Sequence, residues 1–493
     1  MAKNEIKLQY SGFIIFAAKM LSVATGLLFQ LMIARSTTKF EYDLWFNLND
    51  ILAYFTLLAT AIPFWTMRFV AREKEGAVKT GIIANLLISA IATAIYIPLV
   101  PFITSSLNIS QEYLLLYFVV GVQIVELYSL NALQWCLRAR KPQVVGYGLL
   151  IAEICKVALG YVFIIQFQQP LVGALISLIT AYTVQIVYYF RLFSAEMKQH
   201  IRWQYVKEWI KGSLANIYHV IGNQIATFIL IMLFVYGGEG ARGRHGLARQ
   251  VASVITYSSF LAFALYPRLI AEKKREDITT SLKMVLMFAI PMTAGAIALS
   301  DSYIVIMKSI YQDAWPVLVV LAIDGLVITI STLFQSILFG VERVDEGARI
   351  SFKELIRSRL FILFSLPYLH SAIALPTSFY VLTNYVQGDP LQAAISISII
   401  NTVTRLIMFF VLWAIVRKMI KVDIPWRSLG KYVLASVAMS TFLVFVDHPK
   451  RIHMTLILTG IAGIIYWGFL MAIEKDARLL VKSAWQEIRV RTK

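Results

Sequence analysis

The chain alternates between long apolar runs and short polar segments, and fourteen of the runs approach the length of a membrane-crossing helix. A helix needs about 20 mostly apolar residues to span the hydrocarbon core of a bilayer. The runs are continuous, whereas the strands of a membrane barrel would show about 10 residues of alternating polarity. The pattern therefore predicts an all-α polytopic membrane protein with about 14 transmembrane helices, near 12–34, 44–66, 81–104, 113–137, 145–166, 170–190, 212–235, 250–267, 282–300, 315–340, 360–380, 390–416, 430–446 and 453–473.

Composition supports this class of protein. Hydrophobic residues make up 59% of the 493 residues, charged residues make up 15%, and the mean hydropathy is +0.70. Because soluble domains carry about 25% charged residues, a soluble enzyme, a disordered chain and a small disulfide-stapled secreted domain are excluded. The two cysteines, Cys136 and Cys155, lie in apolar runs and indicate no disulfide framework.

The net charge of +18 comes from 46 Lys and Arg against 28 Asp and Glu. With a cytoplasmic N-terminus, the cytoplasmic segments hold 35 of the basic residues and the outer loops hold 8. Since cytoplasmic loops of membrane proteins collect Lys and Arg, this distribution predicts a multi-pass protein of the cell membrane with both termini in the cytoplasm. The positive charge is then explained without a nucleic-acid partner.

The sequence contains an internal repeat with an offset of about 200 residues. The segment 68–74 (RFVAREK) matches 268–274 (RLIAEKK), and the pair 133–134 (LQ) matches 334–335 (FQ) with one residue of slip. Six runs per copy give both copies the same orientation in the membrane. We expect two pseudo-symmetric six-helix lobes around a central cavity, at 1–200 and 201–421, followed by two extra transmembrane helices and a basic cytoplasmic tail at 422–493.

Basic residues inside the runs are candidates for a substrate site, because a charge near the bilayer centre costs at least about 2.5–3.5 kcal/mol. Lys19 in the first run and His219 in the seventh each begin a stripe of polar residues, and Arg405 lies deep in the twelfth. Such stripes need water or a polar ligand, so these residues predict a cationic cavity. Two alternatives stay open: Lys19 is close enough to the cytoplasmic end to extend to the surface, and a histidine such as His219 more often packs between helices.

Acidic residues inside the runs are candidates for ion or proton coupling. Glu126 and Asp324 lie near the middle of their runs, and Asp50 lies on a polar face of the second. A buried carboxylate can take up a proton or a cation, although Glu126 and Asp324 could equally pair with a buried base. Glu153 and Lys156 are spaced i, i+3 and are predicted to form a structural ion pair.

The predicted outer loop at 236–249 is both basic and rich in glycine. It carries Arg242, Arg244, His245 and Arg249 among four glycines. Two interpretations fit this composition: a cluster that catches anions, or a solvated flexible turn.

Sequence motifs argue against an enzyme. The chain has no G-x-x-x-x-G-K-[ST], no H-E-x-x-H and no Cys/His cluster, so neither an ATPase nor a metal or cofactor site is predicted. The one enzyme alternative is a polytopic glycosyltransferase with Glu41 and Asp43 as paired acids. That alternative is the weakest, because the loop that holds both residues is only about nine residues long and leaves no room for two substrates.

The segments 29–35 (FQLMIAR) and 39–45 (KFEYDLW) resemble the end of the first span and the following loop in polysaccharide-type flippases. These are the Wzx-like exporters of the MOP superfamily, which also contains the MATE and MurJ-like branches. Their pattern is apolar-Ala-Arg, a short polar turn, and then Glu-aromatic-Gly-Leu. Asp43 stands where the glycine is usual, and the segment 237–249 lacks the usual Gly-Tyr-Tyr-x-x-Ala. The layout of six, six and two runs is similar over most of the chain.

The resemblance implies a flippase that moves polyprenyl-phosphate- or pyrophosphate-linked oligosaccharide from the inner to the outer face by alternating access, for assembly of surface polysaccharide or glycoprotein glycans. Its partners would be this substrate, membrane lipids, a coupling H⁺ or Na⁺, and a glycan polymerase or transferase. A small-molecule or drug antiporter of the same superfamily is the alternative; its cation-exporting members are expected to carry an acid in the first or seventh span. An anionic headgroup would be held by a basic set: Lys19, Arg35, His219, Arg249 and Arg405.

Overall fold

The computed structural model of the protein describes residues 21–22, 25–262, 275–341, 359–420 and 423–478. Within these ranges the chain is helical and contains no strand, so the predicted all-α class is confirmed. The principal helices are 25–36 (α1), Lys39–Thr56 (α2), Ala61–Ala71 (α3), Ala77–Ser106 (α4), Leu114–Arg140 (α5), Pro142–Gly160 (α6), Pro170–Arg191 (α7), Trp203–Tyr236 (α8), Ala241–Thr256 (α9), Arg275–Ala298 (α10), Ser300–Met307 (α11), Trp315–Val341 (α12), Arg359–Asn384 (α13), Pro390–Met419 (α14), Trp426–Phe445 (α15) and Ile452–Ile473 (α16).

Twelve helical segments of the described chain are long and apolar enough to cross a membrane. They correspond to twelve of the fourteen predicted runs, including the two near 360–380 and 430–446. Of the other two, the run at 12–34 lies largely outside the described residues. The run at 250–267 belongs to a helix that begins earlier than predicted, at Ala241, and is described only as far as 262.

Local chemistry marks where several of these helices begin. Thr38 and Glu41 form a capping box at the start of α2: the Thr38 hydroxyl accepts from the Glu41 amide at 3.2 Å, and the Glu41 carboxylate accepts from the Thr38 amide at 2.8 Å. At the start of α14 the Asp389 carboxylate accepts from the amides of Leu391 and Gln392 at 3.1 and 3.0 Å. The helix starts therefore follow from residues that satisfy otherwise unpaired amide groups.

Residue contacts divide the chain into two compact units. Among the described residues the first unit ends at Val235 and the second begins at Tyr236. Helix α8, which the sequence analysis placed in the second lobe, packs within the first unit for most of its length. Its fully buried Trp209 lies edge-on to Phe69 with ring centroids 5.4 Å apart, and Gly212 lies against the Trp65 ring.

Each unit is organised around one long helix. In the first unit α5 packs against α3, α4 and α7, and in the second α12 packs against α9, α10 and α14. Helices α5 and α12 are both 27 residues long, and their first residues are 201 positions apart. This spacing agrees with the offset of the internal repeat, whose second loop copy at 268–274 lies outside the described residues.

The last two helices, α15 and α16, pack on the second unit. The Tyr466 hydroxyl donates to the Met287 carbonyl at 2.6 Å, and Trp467 contacts the Phe288 ring edge-on. Nearer the start of α16, the Thr459 hydroxyl lies 2.8 Å from that of Tyr303 on α11. The hairpin is thus fastened to α10 and α11 by hydrogen bonds as well as by apolar packing.

A candidate anion-binding site in the second unit

Helix α9 is the polar helix of the second unit, and it corrects the predicted outer loop. Gly238 and Gly240 have φ of +81° and +87°, and this left-handed turn leads directly into helix from Ala241. The basic residues Arg242 and His245 are each 4% exposed. They lie in a packed helix and not in a flexible turn.

Arg244 fastens the start of α9 to the segment before α12. Its Nε lies 3.2 Å from both carboxylate oxygens of Asp313, and its Nη2 donates to Oδ2 at 2.8 Å. The guanidinium also lies over the Tyr311 ring, 5.0 Å from the centroid. A Cβ at Gly240 would lie 2.6 Å from the Nη1 atom of Arg244. The backbone conformation therefore favours glycine at 240, and a side chain there would also have to displace the Arg244 guanidinium.

Farther along α9, Arg249 joins an ion cluster with residues of two other helices. Its Nη1 donates to Oδ2 of Asp324 on α12 at 2.6 Å, and Nη1 of Arg405 on α14 donates to the same oxygen. Asp324 is fully buried, whereas the side chains of Arg249 and Arg405 are 36% and 26% exposed. The other carboxylate oxygen, Oδ1, has no hydrogen-bond partner among the described residues. This Arg249–Asp324–Arg405 cluster carries one surplus positive charge.

Two histidines lie close to this cluster. His245 on α9 is within electrostatic range of Arg242, Arg249 and Arg405. His370 on α13 faces Arg405 and lies next to Asn401. Both histidines are at least nine-tenths buried. A neutral imidazole presents both a donor and an acceptor nitrogen, so these residues can extend a hydrogen-bond network around the arginines.

Equivalent positions of the first unit carry no charge. Helix α9 corresponds to α2, helix α12 to α5 and helix α14 to α7, and positions are counted from the first residue of each helix. Helices α14 and α7 both begin with Pro-Leu. The counterparts of Arg249, Asp324 and Arg405 are then Asn47, Gln123 and Gln185, all buried amides. By this count, the three charged positions of the cluster correspond to uncharged amide side chains in the first unit.

The first unit contains a different buried carboxylate, Glu126 on α5. Its Oε1 accepts from the Thr183 hydroxyl at 2.7 Å, and its Oε2 has no hydrogen-bond partner among the described residues. Glu126 is 5% exposed, and no ion pair joins it to a base in the described chain. Unlike Asp324, which pairs with two arginines, Glu126 has no basic partner in the described chain.

Glu153 and Lys156 form an ion pair on α6, with 2.6 Å between Nζ and Oε2. The Thr25 hydroxyl donates to the same oxygen at 2.5 Å. The ammonium of Lys156 lies 5.6 Å from the centroid of the Phe29 ring. This arrangement ties α6 to α1 and leaves neither charge unbalanced.

The remaining candidate residues lie in the first unit or outside the described chain. Arg35 is exposed near the end of α1, and Asp50 is half-buried on α2 close to Tyr54. His219 on α8 is half-buried, and its ring nitrogen Nε2 lies 3.0 Å from the amide of Asn223. Lys19 lies outside the described residues. The structure thus brings Arg249, Asp324 and Arg405 together within the second unit, whereas Arg35 and His219 belong to the first.

Sequence reasoning missed several members of this site. The sequence gives no signal for Asp313 or His370, and it predicts Arg244 and His245 only as part of a loop. The internal repeat could have located the start of α9. Because the two copies are offset by about 200 residues, a helix that starts at Lys39 predicts a second helix that starts near 241. With that boundary, the sequence predicts that three arginines and a histidine lie on one 16-residue helix and not in a loop.

No family model matches the chain, and no curated protein matches it. Solved structures do. The lipid II flippase MurJ in an inward closed conformation is 14% identical, with 94% of this chain and 99% of that chain covered and a TM-score of 0.63. An inward-facing multidrug resistance MATE family transporter of the MOP superfamily is 13% identical over 80% of this chain and 94% of its own, with a TM-score of 0.58.

A third match is a MOP superfamily transporter from Pyrococcus furiosus, described as having a binding pocket of reversed polarity. It is 14% identical over 84% of this chain and 95% of its own, with a TM-score of 0.51. Identities in this range establish the fold and not the activity. The chain is a multi-pass membrane protein with the fold of MOP superfamily transporters.

Proposed function

We propose that the chain is a flippase for an anionic lipid-linked oligosaccharide, which it moves from the inner to the outer face of the membrane by alternating exposure of its binding site. The observation that carries the proposal is the Arg249–Asp324–Arg405 cluster, in which two partly exposed arginines share one buried carboxylate oxygen. The sequence resemblance to polysaccharide-type flippases supports the same substrate class.

A phosphate or pyrophosphate suits this cluster chemically. Guanidinium groups bind phosphate oxygens through pairs of parallel N–H donors, and these charge-assisted hydrogen bonds are about twice as strong as neutral ones. Asp324 holds each arginine through a single Nη1 atom, so the other N–H groups of Arg249 and Arg405 stay able to donate. The surplus positive charge of the cluster favours an anion over a cation or a neutral solute.

The structural matches are compatible with a flippase and equally with the antiporter discussed below. The alignment with the lipid II flippase covers 94% of this chain, whereas those with the MATE transporters cover 80% to 84%. Lipid II is the substrate named for that neighbour, and at 14% identity it does not identify the cargo of this chain. The identity of the sugar and of the carrier lipid is therefore left to experiment.

A small-molecule antiporter is the second candidate, and the buried carboxyl group of Glu126 supplies the ion-coupling residue that it would need. A buried carboxyl group without a basic partner can bind a proton or a cation and release it when the site opens to the other side. In a flippase the same group would couple substrate movement to a gradient of H⁺ or Na⁺. The two candidates therefore differ in the cargo and share the coupling residue.

Deletion of the chain in its host separates these functions. Loss of a flippase should leave the complete lipid-linked glycan accumulated on the cytoplasmic face, where an impermeant glycosidase cannot reach it in intact cells. Drug sensitivity with normal surface glycan would instead support the antiporter. Absence of the lipid-linked glycan from both faces would contradict both candidates and support a transferase.

A further inference from the structure

The first turns of α8 have one face that packs within the first unit and another that is exposed. On the packed face, Trp209 is fully buried and the Ser213 hydroxyl donates to the Ala61 carbonyl at 3.0 Å. The exposed face carries two lysines and two large apolar residues: Lys207, Ile210, Lys211 and Leu214. Their spacing of three and four residues places all four on one side of the helix, and the set is here called the α8 lysine face.

The α8 lysine face continues into an apolar stripe on the membrane-spanning part of the same helix. Exposed there are Ile221, Ile225 and Phe228, which fall within the same arc of about 100° as the lysine face at 3.6 residues per turn. The exposed polar residues Asn223 and Thr227 lie on the opposite side of the helix. Because polar residues of a membrane span face the protein interior or a water-filled cavity, the apolar stripe and the lysines are on the side that faces lipid.

Both lysines lie at a height where lipid headgroups act on them. The part of α8 that is apolar enough to cross a membrane begins at Ile217. At 1.5 Å per residue, Lys211 lies about 9 Å and Lys207 about 15 Å before that point. The headgroup region is about 5–8 Å thick on each side of the bilayer, and its negative potential extends about 8–10 Å farther into solution. Lys211 therefore lies beside the headgroups, and Lys207 lies within their electrostatic range.

The charge of this segment also suits an anionic surface. Residues 191–211 contain five Lys and Arg against two Glu, and one of the two acids, Glu196, already pairs with Arg140. Among the described residues, no ion pair joins Lys207 or Lys211 to an acid. The distribution of basic residues predicts that this end of α8 is cytoplasmic, and the cytoplasmic leaflet is the one that carries anionic lipid.

We propose that the α8 lysine face is a docking surface for anionic phospholipid of the cytoplasmic leaflet. Its two ammonium groups attract the headgroup phosphates, and the exposed Leu214, next to the membrane span, contacts the apolar part of the same lipids. The lysines are one helical turn apart, with Cβ atoms about 5–6 Å from each other, so they act on the same small patch of the leaflet. This surface belongs to the first unit and does not depend on the identity of the cargo.

The test measures lipid bound to the full-length protein by native mass spectrometry. Phosphatidylglycerol is titrated into protein in detergent micelles that contain phosphatidylcholine, and the affinity for each lipid is determined. Lys207→Gln and Lys211→Gln should each lower the affinity for phosphatidylglycerol about fivefold and leave that for phosphatidylcholine unchanged. Glu208→Gln removes a neighbouring exposed negative charge and should raise the affinity for phosphatidylglycerol. Each variant is checked for an unchanged melting temperature.

Lys198→Gln is the matched control, since Lys198 is an exposed lysine of the same connector that precedes α8 and is not part of its face. A loss of phosphatidylglycerol in the two α8 variants but not in this control supports the proposal. Unchanged affinity in both α8 variants, an equal loss in Lys198→Gln, or an equal loss of phosphatidylcholine would overturn it. Lipid binding is measured without transport, so failure here leaves the proposed function standing.

Discussion

Arg249 and Arg405 donate to the same carboxylate oxygen, Oδ2 of Asp324, although they come from different helices of the second unit. Removal of one member of such a cluster is costly, because it leaves a charge beside the buried carboxylate, or the carboxylate itself, poorly compensated. The arrangement also directs two guanidiniums from a fully buried anchor toward accessible space. This combination of a fixed anchor and accessible donors makes the cluster the candidate anion site.

Replacement of one arginine tests the role of the cluster in binding. Arg249→Gln should weaken the affinity for a phosphate-bearing lipid about 10- to 100-fold, because hydrogen bonds to charged groups contribute about 1.5–3 kcal/mol. Microscale thermophoresis with a fluorescent polyprenyl pyrophosphate measures this change. Arg417→Gln is the control, since Arg417 lies in the last turn of α14 beside the Trp413 ring, away from the cluster. Equal effects of both substitutions would show that overall charge matters and the cluster does not.

Replacement of the shared carboxylate tests its role as the anchor. Asp324→Asn leaves two arginines without their common anion, and we expect the protein to lose about 3–5 kcal/mol of stability. Because a bound anion can replace the missing charge, inorganic phosphate should raise the melting temperature of the variant more than that of the wild type. Thermal unfolding followed by intrinsic fluorescence, with chloride at equal ionic strength as the control, measures both effects. A variant that phosphate stabilises no more than the wild type would argue against an anion site here.

Glu126 should be the residue that couples transport to an ion gradient. Glu126→Gln keeps the hydrogen bond with Thr183 available but removes the ionisable group. We expect transport by this variant to fall to the rate that the wild type shows without a gradient, with substrate affinity unchanged. Uptake into proteoliposomes with and without a pH or Na⁺ gradient measures the coupling. Glu112→Gln, at an exposed position just before α5, is the control; a gradient that still accelerates Glu126→Gln would exclude this residue.

Two glycine substitutions separate backbone strain from a clash with Arg244. Gly240 and Gly388 have φ of +87° and +79°, a region that costs a residue with a Cβ about 1–2 kcal/mol. A Cβ at 388 meets no atom within 4 Å, whereas one at 240 lies 2.6 Å from Arg244 Nη1. Gly240→Ala should therefore lower the melting temperature more than Gly388→Ala, because it also displaces the ion pair with Asp313. Equal decreases would mean that Arg244 moves aside without cost.

The fold follows from the sequence wherever hydrophobicity alone decides the structure. Twelve predicted runs correspond to helices because a span of about 20 apolar residues has few other ways to satisfy its backbone in a bilayer. The ion pair of Glu153 and Lys156 is present because both residues lie on one helix, where spacing determines proximity. Predictions of this kind depend only on local sequence.

The cluster could not be predicted in the same way. Arg249, Asp324 and Arg405 come from three helices, and hydropathy does not reveal which helix faces meet. The start of α9 was also obscured, because glycines at 238 and 240 beside three arginines are typical of an exposed loop. Arg244 pairs with Asp313 and Arg249 with Asp324, and both aspartates come from later segments of the chain. Long-range charge compensation therefore overrides the local composition.

The most direct test of the central claim is transport by the purified protein. Proteoliposomes that contain the full chain receive a fluorescent polyprenyl-pyrophosphate oligosaccharide, and a membrane-impermeant quencher reports how much reaches the opposite leaflet. We predict that the wild type moves this lipid and that Arg405→Gln moves it at the rate of protein-free vesicles, while Arg417→Gln matches the wild type. Full transport by Arg405→Gln would contradict the account, because the anionic headgroup would then cross without the cluster.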